Sequence, residues 1–254
     1  SADINEIKNL CKENKILLLE DNCESLGSML NETLLGNFGF ASTFSFFVGH
    51  HLSTVEGGMV CTNDKQLYNM LCMVRAHGWD RHLNEDDKKS LRDKFNLDNF
   101  FGLYTFYYSA YNARPTEITG FLGNNQIEFL DRIISKRIEN FNKFYEASNN
   151  NEDILKLNLS HMSRISNFAF PLIFKNKEIY ENYKKIFNSK VEIRPIIAGN
   201  IQKHPFFKNY TDIHFNCPNA DFIHEHSFYF GNNPEMTDEE ISLICNLIKN
   251  ENPI

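Results

Sequence analysis

The sequence predicts an α/β fold, with a larger α/β part over residues 1–148 followed by a smaller α+β part over residues 149–254. Near the start, an amphipathic helix leads directly into an unbroken apolar strand, which is the order found in parallel α/β sheets. Further short strands and helices follow as far as residue 148. After Ser148 an asparagine-rich stretch begins and the pattern changes, and we place the domain boundary there.

The first helix and strand are short. Apolar side chains recur at helical spacing between Asp3 and Glu13. The next apolar run, Ile16 to Leu19, is uninterrupted and ends in Glu20 and Asp21. Such a run is typical of a central parallel strand that is buried on both faces. We therefore expect this strand to deliver two carboxylates to the edge of the sheet.

Four more elements complete the larger part. The pattern predicts strands over Ser42–Phe47 and Met59–Thr62 and a helix over Asp64–Arg75. The charge-rich run Asp80–Asn99 predicts a mobile excursion. Thr116–Ala147 carries apolar residues on one helical face and predicts a single long helix.

The smaller part mixes strands and helices. Its expected elements are a strand over Asn167–Phe174, a helix over Lys177–Phe187, short strands near Val191 and Phe228, and a last helix capped by Thr237 and Glu240. The spacing of that final pair is a capping box, in which each side chain bonds to the other's backbone amide. This succession predicts a small α+β unit.

Composition excludes several classes of function. The chain of 254 residues carries 26 basic and 33 acidic side chains, a net charge of −7, and no basic block, so neither nucleic acid nor an anionic membrane is the expected partner. No apolar run reaches the roughly 18–20 residues that cross a bilayer. The six cysteines include no close metal-binding pair. We expect a cytoplasmic protein with reduced cysteines and no metal site.

Candidate functional side chains follow the predicted strands. Asp21 comes directly after the first strand, and Ser45 and His50 lie at the end of the second. In open α/β sheets, ligands bind in the crevice at the carboxyl ends of the strands. Taken alone, each residue also has a structural interpretation, since an acid after a strand often caps a helix.

The order of motifs along the chain is more specific than any single residue. The motifs are Glu20-Asp21-Asn22-Cys23-Glu24-Ser25-Leu26-Gly27, Thr43-Phe44-Ser45-Phe46-Phe47, Glu56-Gly57-Gly58, His77-Gly78 and Tyr111-Asn112-Ala113-Arg114. In this order they resemble the DegT/DnrJ/EryC1/StrS family of pyridoxal-phosphate-dependent sugar aminotransferases. The resemblance implies the aspartate-aminotransferase-like fold (PLP fold type I), here with an incomplete large domain. It also implies pyridoxal 5'-phosphate or pyridoxamine 5'-phosphate as the cofactor.

The resemblance assigns four cofactor-binding positions. Asp21 matches the acid that pairs with the protonated pyridine nitrogen, and Glu24 matches a position near the ring or its phenolic oxygen. Ser45 matches a hydroxyl on the cofactor phosphate. Asn112 matches the asparagine that reaches the phosphate from the neighbouring subunit, which implies a homodimer. Singly, Glu24 also fits a surface acid, Ser45 an ordinary strand hydroxyl and Asn112 a turn residue.

The most informative position is His50. The family's aminotransferases carry there the lysine that forms an imine with the cofactor, whereas no lysine lies between Asn37 and Asp64. An imidazole cannot form that imine, but its pKa near 6.5 suits proton transfer at neutral pH. The substitution is similar to that in the nucleotide-sugar 3-dehydratases of this family. His51 is expected to be structural.

The resemblance therefore implies removal of the C3 hydroxyl from a nucleotide-linked 4-keto-6-deoxy sugar, in the biosynthesis of deoxysugars for lipopolysaccharide O-antigen. His50 would be the catalytic acid and base, and glutamate the amino donor. A second match to the dehydratases is Arg194-Pro195-Ile196-Ile197-Ala198-Gly199-Asn200. Arg194 and Arg114 are the expected substrate ligands; Arg114 could grip the donor carboxylate or form a surface salt bridge. The absence of cysteine between His77 and Asn112 favours the branch without an iron–sulfur cluster.

Two alternatives stay open at this point: a nucleotide-sugar aminotransferase with an unusual base, and a non-catalytic remnant of the family. The chain also begins after the family's opening section, which carries a phosphate-binding loop. Ser1 and Ala2 resemble a cloning remnant. We accordingly expect a truncated form that binds its cofactor weakly or not at all.

Overall fold

A computed structural model describes residues 2–197 and 199–250. Two residues named above, Ser1 and Ala198, lie outside these ranges. The helices are α1 (Ile4–Glu13), α2 (Lys65–Val74), α3 (Glu85–Lys94), α4 (Asn99–Gly102), α5 (Glu117–Ile127), α6 (Leu130–Asn149), α7 (Lys177–Asn188), α8 (Pro218–His226) and α9 (Asp238–Lys249). The strands are β1 (Leu19–Asp21), β2 (Met29–Leu30), β3 (Thr33–Leu34), β4 (Ala41–Ser45), β5 (Gly58–Thr62), β6 (Ala169–Ile173), β7 (Ile193–Pro195) and β8 (Ser227–Gly231).

The larger part contains a three-stranded sheet in the order β1-β4-β5. β1 and β4 are parallel, with Asp21 opposite Thr43, so the carboxyl ends of both strands meet at one edge. β5 returns antiparallel to β4 and pairs Gly58 with Ser45. The strands predicted over Ser42–Phe47 and Met59–Thr62 are present as β4 and β5, and the connection between them carries His50. We call this connection, residues 46–57, the His50 loop.

The prediction of a buried central strand over Ile16–Leu19 is wrong. β1 begins only at Leu19, and Leu17 and Leu19 are each 68% exposed. An apolar run of this kind is typical of a strand in a sheet whose two faces are both covered. Within the described residues, β1 is the edge of a three-stranded sheet, so its apolar side chains lack the neighbours that would bury them.

The smaller part holds the main hydrophobic core. β6, β8 and β7 form an antiparallel sheet in that order, and α6, α7 and α9 supply apolar side chains against it. The fully buried aromatic side chains of this core are Phe144, Phe170, Phe174, Tyr183, Phe187, Phe228 and Phe230. Because α6 contributes Phe141 and Phe144, it ties the two parts together. The division at residue 148 stays a prediction.

The predicted single helix over Thr116–Ala147 is two helices, α5 and α6. Neither proline nor glycine lies at the break, so tertiary contacts determine it. The side chain of Gln126 at the end of α5 accepts a hydrogen bond from the Ser53 amide at 2.9 Å and donates one to the Ser53 carbonyl. These bonds tether α5 to the His50 loop. On the apolar face of α5, Ile118 and Phe121 are exposed.

The charge-rich run after Asp80 is ordered rather than a mobile excursion. It contains α3, capped by Asn84. The buried carboxylate of Asp80 accepts hydrogen bonds from Arg92 at 2.7 and 3.2 Å and from the Tyr107 hydroxyl at 3.2 Å. A buried carboxylate with three hydrogen-bond donors is well satisfied. Through Arg92 it holds α3 against the loop that follows α2. Among the described residues, no helix has the length and apolar character needed to span a membrane.

Candidate active site

A cavity of about 710 Å³ lies where the two parts of the chain meet. From the larger part it is lined by the end of β1, including Asp21 and Glu24. From the smaller part it is lined by Phe168, Ile197 and Tyr229. The carboxyl end of a parallel strand is where open α/β sheets place ligand sites, and the cavity occupies that position.

The two acids at the end of β1 point in opposite directions, as successive residues of a strand do. Glu20 is buried and accepts hydrogen bonds from the amides of Gly36, Phe38 and Gly39 at 2.6–2.7 Å. This arrangement gives Glu20 a structural role in holding the loop before β4. Asp21 is left facing the cavity.

The Asp21 carboxylate is held in its charged form. Its Oδ1 accepts hydrogen bonds from the Cys23 amide and the Thr43 hydroxyl, both at 3.1 Å. Hydrogen bonding by the Cys23 side chain is the main reason that the pKa of Asp21 lies below its ordinary value; burial opposes this, and the nearby His50 favours it. Asp21 therefore presents a negative charge to whatever fills the cavity.

His50 lies at the tip of the His50 loop, within electrostatic reach of this carboxylate. Gly49 precedes it with φ of +93°, a conformation that residues with a side chain rarely adopt. The imidazole packs edge-on against Phe168, with ring centroids 5.3 Å apart. Its Nδ1 is buried and has no hydrogen-bond partner among the described residues. An unpaired buried ring nitrogen is costly.

The protonation of His50 suits a base. Burial is the main cause that lowers the pKa of His50, and the positive charge of Arg137 lowers it further. The Ser45 backbone and the Asp21 carboxylate act in the opposite direction. With its pKa below 6.5, the imidazole is mostly neutral at pH 7 and can accept a proton.

Glu24 and Ser45 complete the group at the sheet edge. Glu24 is half-buried beside the cavity, and burial, followed by the charge of Asp21, raises the pKa of its carboxyl. Ser45 ends β4, and its hydroxyl accepts a hydrogen bond from the Phe47 amide at 3.2 Å. The structure thus brings Asp21, Glu24, Ser45 and His50 to one end of the sheet.

Arg194 belongs to the smaller part and is not among the described residues that line the cavity. It is exposed on β7, opposite the cavity-lining Tyr229, and is paired with Glu192 at 2.5 Å. Asn112 and Arg114 belong to a separate cluster. Arg114 donates a hydrogen bond to Asn112 at 3.2 Å, and its guanidinium lies 5.7 Å from the Trp79 ring.

His51 has the structural role expected of it. It is only 3% exposed, and its Nε2 lies 2.8 Å from the Ser166 hydroxyl. Burial, helped by the charge of Arg137, lowers the pKa of His51 to about 3. The ring therefore stays neutral in the folded protein down to acidic pH.

This pKa makes the stability of the protein depend on pH. In the unfolded chain His51 takes up a proton below about pH 6.5, whereas the folded protein resists protonation until about pH 3. The stability that comes from the neutral ring is therefore fully present above the unfolded pKa of about 6.5, and it is lost as the pH falls from there toward the folded pKa of about 3. Between pH 7 and pH 5 we expect His51 to remove about 2 kcal/mol from the free energy of unfolding.

Urea unfolding of the wild type and the His51→Gln variant at both pH values measures this effect, since other titrating groups cancel in the difference. His214→Gln, at an exposed position, is the matched control and should keep the wild-type pH dependence. Equal pH dependence in His51→Gln and the wild type would rule out this role.

Arg137 and Phe168 are site residues that the sequence pattern did not single out. Phe168 packs on His50, and Arg137 bonds to the His50 loop. One signal was present in the sequence: Arg137 falls on the apolar stripe of α6, four residues after Ile133 and four before Phe141. An arginine at a core position of an amphipathic helix indicates a buried partner.

Groups of three or more His, Cys, Asp or Glu side chains that could hold a metal ion are not found in the described part of the chain.

The model of the DegT/DnrJ/EryC1/StrS aminotransferase family matches residues 1–249. The chain is 33% identical to the GDP-4-keto-6-deoxy-D-mannose 3-dehydratase of Escherichia coli O55:H7, and 34% identical to the protein of that name from Yersinia pseudotuberculosis. Both matches cover 97% of this chain, but only 64% and 63% of those relatives. The chain thus spans less than two thirds of their length.

The fold is similar to that of a solved structure, GDP-4-keto-6-deoxymannose-3-dehydratase with a trapped PLP-glutamate geminal diamine. The TM-score is 0.84 at 31% identity, over 98% of this chain and 65% of that one. The prediction of an aspartate-aminotransferase-like α/β fold is confirmed by this similarity. With the family model matching almost the whole sequence, the chain belongs to the DegT/DnrJ/EryC1/StrS aminotransferase family.

Proposed function

We propose that the protein is a pyridoxamine-phosphate-dependent nucleotide-sugar 3-dehydratase, which removes the C3 hydroxyl of GDP-4-keto-6-deoxymannose. One observation carries the proposal: beside Asp21 the chain presents the imidazole of His50 and not a lysine amine. The curated relatives reported above have this activity in their names.

The described residues fit this cofactor. The Asp21 carboxylate, with its lowered pKa, faces the cavity and can hold a protonated pyridine nitrogen. The buried Nδ1 of His50 has no other partner among the described residues. When bound, the cofactor supplies an electron sink that stabilises negative charge next to its amine nitrogen.

We assign the proton transfers to His50. Its neutral imidazole accepts a proton from the carbon attached to the amine nitrogen, as the lowered pKa allows. Once protonated, the same ring can give that proton to the C3 hydroxyl as it leaves. A lysine there would return the proton to the sugar, so the imidazole favours elimination. Glu24, whose pKa is raised, is placed to share a proton with the phenolic oxygen, and the Ser45 hydroxyl is proposed to bind the phosphate.

Two arginines are proposed as substrate ligands. Arg194 pairs across the sheet with Tyr229, which lines the cavity, and from this position its guanidinium is proposed to bind polar groups of the sugar nucleotide. Arg114 is proposed to bind the carboxylate of glutamate, the amino donor. Glutamate is the donor trapped in the relative of known structure described above.

We further propose that the protein acts as a homodimer in which Asn112 and Arg114 serve the partner's site. Neither residue is among the described residues that line the cavity of the same chain, which agrees with this. Large apolar side chains around them are exposed, including Tyr104, Tyr111 and Phe121, and exposed apolar surface of this kind marks an interface. A monomer in sedimentation equilibrium at micromolar concentration would contradict the proposal.

The decisive experiment is made on a form of the protein extended to the full length of its relatives, of which this chain spans less than two thirds, and supplies it with pyridoxamine phosphate, glutamate and GDP-4-keto-6-deoxymannose. We expect a 4-keto-3,6-dideoxy sugar and ammonia as products. In the His50→Lys variant we expect a 4-amino sugar in their place, because an amine favours transamination. If the wild type forms the 4-amino sugar and releases no ammonia, the protein is an aminotransferase; if it forms neither product, the proposal fails.

A further inference from the structure

Arg137 is a buried cation at the junction of the two parts of the chain. It lies in α6 and is 3% exposed. A buried charge normally has a carboxylate partner, but Arg137 forms no ion pair within the described ranges. Its bonds go instead to carbonyl oxygens, and burial alone lowers the pKa of Arg137 to about 10. The side chain therefore remains charged at pH 7.

The bonds of the guanidinium divide between two parts of the site. Its Nη2 donates to the carbonyls of Gly49 and His50, at 3.2 and 3.1 Å. Its Nη1 donates to the carbonyl of Phe168 at 3.3 Å and to that of Asn232. One nitrogen thus holds the loop that carries the imidazole, and the other holds the ends of β6 and β8.

The anchored residues are those that orient the imidazole. The Phe168 ring packs edge-on against His50, 5.3 Å away, and the backbone carbonyls of both residues bond to the same guanidinium. Asn232 strengthens the clamp, since its side-chain amide donates to the Arg137 carbonyl at 2.9 Å and its backbone amide donates to the Phe168 carbonyl at 2.8 Å.

We propose that Arg137 is a positioning residue for His50. Its planar guanidinium joins the His50 loop to the sheet of the smaller part and so fixes the imidazole against Phe168. The proposal rests on the function proposed above, in which His50 moves the protons. Only a guanidinium can span both sets of carbonyls, because its donors lie in a rigid plane. A lysine at this position keeps the positive charge but cannot bond to both sets of carbonyls.

The test compares Arg137→Lys with the wild type. We expect kcat to fall about 100-fold with little change in KM, since a displaced catalytic group costs about this much. The second readout needs no substrate or cofactor: nuclear Overhauser contacts between the His50 and Phe168 rings, measured on protein with labelled histidine and phenylalanine. These contacts should weaken in Arg137→Lys. Arg132→Lys, an exposed position on the same helix, should match the wild type in both readouts.

The pKa of His50 in two Arg137 variants distinguishes the effect of Arg137 on the position of the imidazole from the effect of its positive charge. The charged and titratable groups that face its ring are Asp21 from β1, His51 from its own loop and Arg137 from α6. Arg137→Met removes the positive charge and should raise the pKa of His50, whereas Arg137→Lys should change it less and still lose activity. Wild-type kcat in Arg137→Lys would show that charge alone matters, and would overturn the proposal.

If Arg137→Lys does not fold, Phe168→Leu decides the question, because it removes the ring and leaves the carbonyl that Arg137 binds. We expect a similar loss of kcat, and an unchanged kcat would overturn the proposal. The ring contacts do not depend on any reaction. If the wild type shows no dehydratase activity, the proposed function is wrong, but the contacts between the His50 and Phe168 rings still test the positioning role of Arg137.

Discussion

Replacement of His50 by asparagine is expected to lower kcat of the dehydratase by about 10²–10⁴-fold, the usual contribution of a general acid and base. Asparagine is similar in size and can form hydrogen bonds, but it cannot take up a proton at neutral pH. Binding of the sugar nucleotide should change little, because His50 is not among the described residues that line the cavity. Steady-state release of ammonia, measured with saturating glutamate, gives kcat directly.

The matched control for this substitution is His214→Asn, at an exposed position of the smaller part, and it should retain wild-type turnover. The pH dependence adds a second check. Activity of the wild type should fall as the pH drops through the lowered pKa of His50, since the protonated ring cannot act as a base. If His50→Asn retained more than a tenth of the wild-type kcat, another group would have to be the base.

Asp21→Asn is expected to have a comparably large effect, about 10²–10³-fold on kcat. The charged Asp21 keeps the ring nitrogen of the cofactor protonated, and removal of one partner from a desolvated ion pair costs about 3–5 kcal/mol. Asparagine preserves the shape and can still accept hydrogen bonds from Cys23 and Thr43. The measurement is the rate of ammonia release at saturating substrate, together with the absorbance spectrum of the bound cofactor.

Asp86→Asn makes the same change of charge at an exposed position of α3 and should leave turnover unaltered. A neutral amide at position 21 with turnover within a few-fold of the wild type would mean that the carboxylate does not face the ring nitrogen. In that case the role assigned to Asp21 would have to be abandoned.

Local pattern was enough to predict most of the helices and strands. The capped helix at Thr237 and Glu240 is present with both reciprocal bonds, because a capping box is specified within four neighbouring residues. The strands at Ser42 and Met59 were also placed within two residues of their observed limits. The small hairpin of β2 and β3 was missed, since two-residue strands leave no periodicity to detect.

Long-range contacts account for the failures. The break between α5 and α6 accompanies Gln126 binding Ser53, 73 residues away, and no local pattern encodes that contact. The exposure of Leu19 follows from the position of β1 at the sheet edge. Arg137 falls on the apolar stripe of α6, but its four carbonyl partners come from three distant segments, which no local pattern identifies.

By itself the sequence determined the chemical types at the site: an acid after a strand, a hydroxyl at the end of the next strand, and a histidine with no lysine near it. These follow from residue identity and local periodicity, which need no knowledge of distant neighbours. Only the tertiary structure decided that Asp21 faces the cavity while Glu20 is buried, and that Arg137 and Phe168 enclose His50. Orientation and protonation depend on burial and on the charges nearby, and both are created when distant segments pack together.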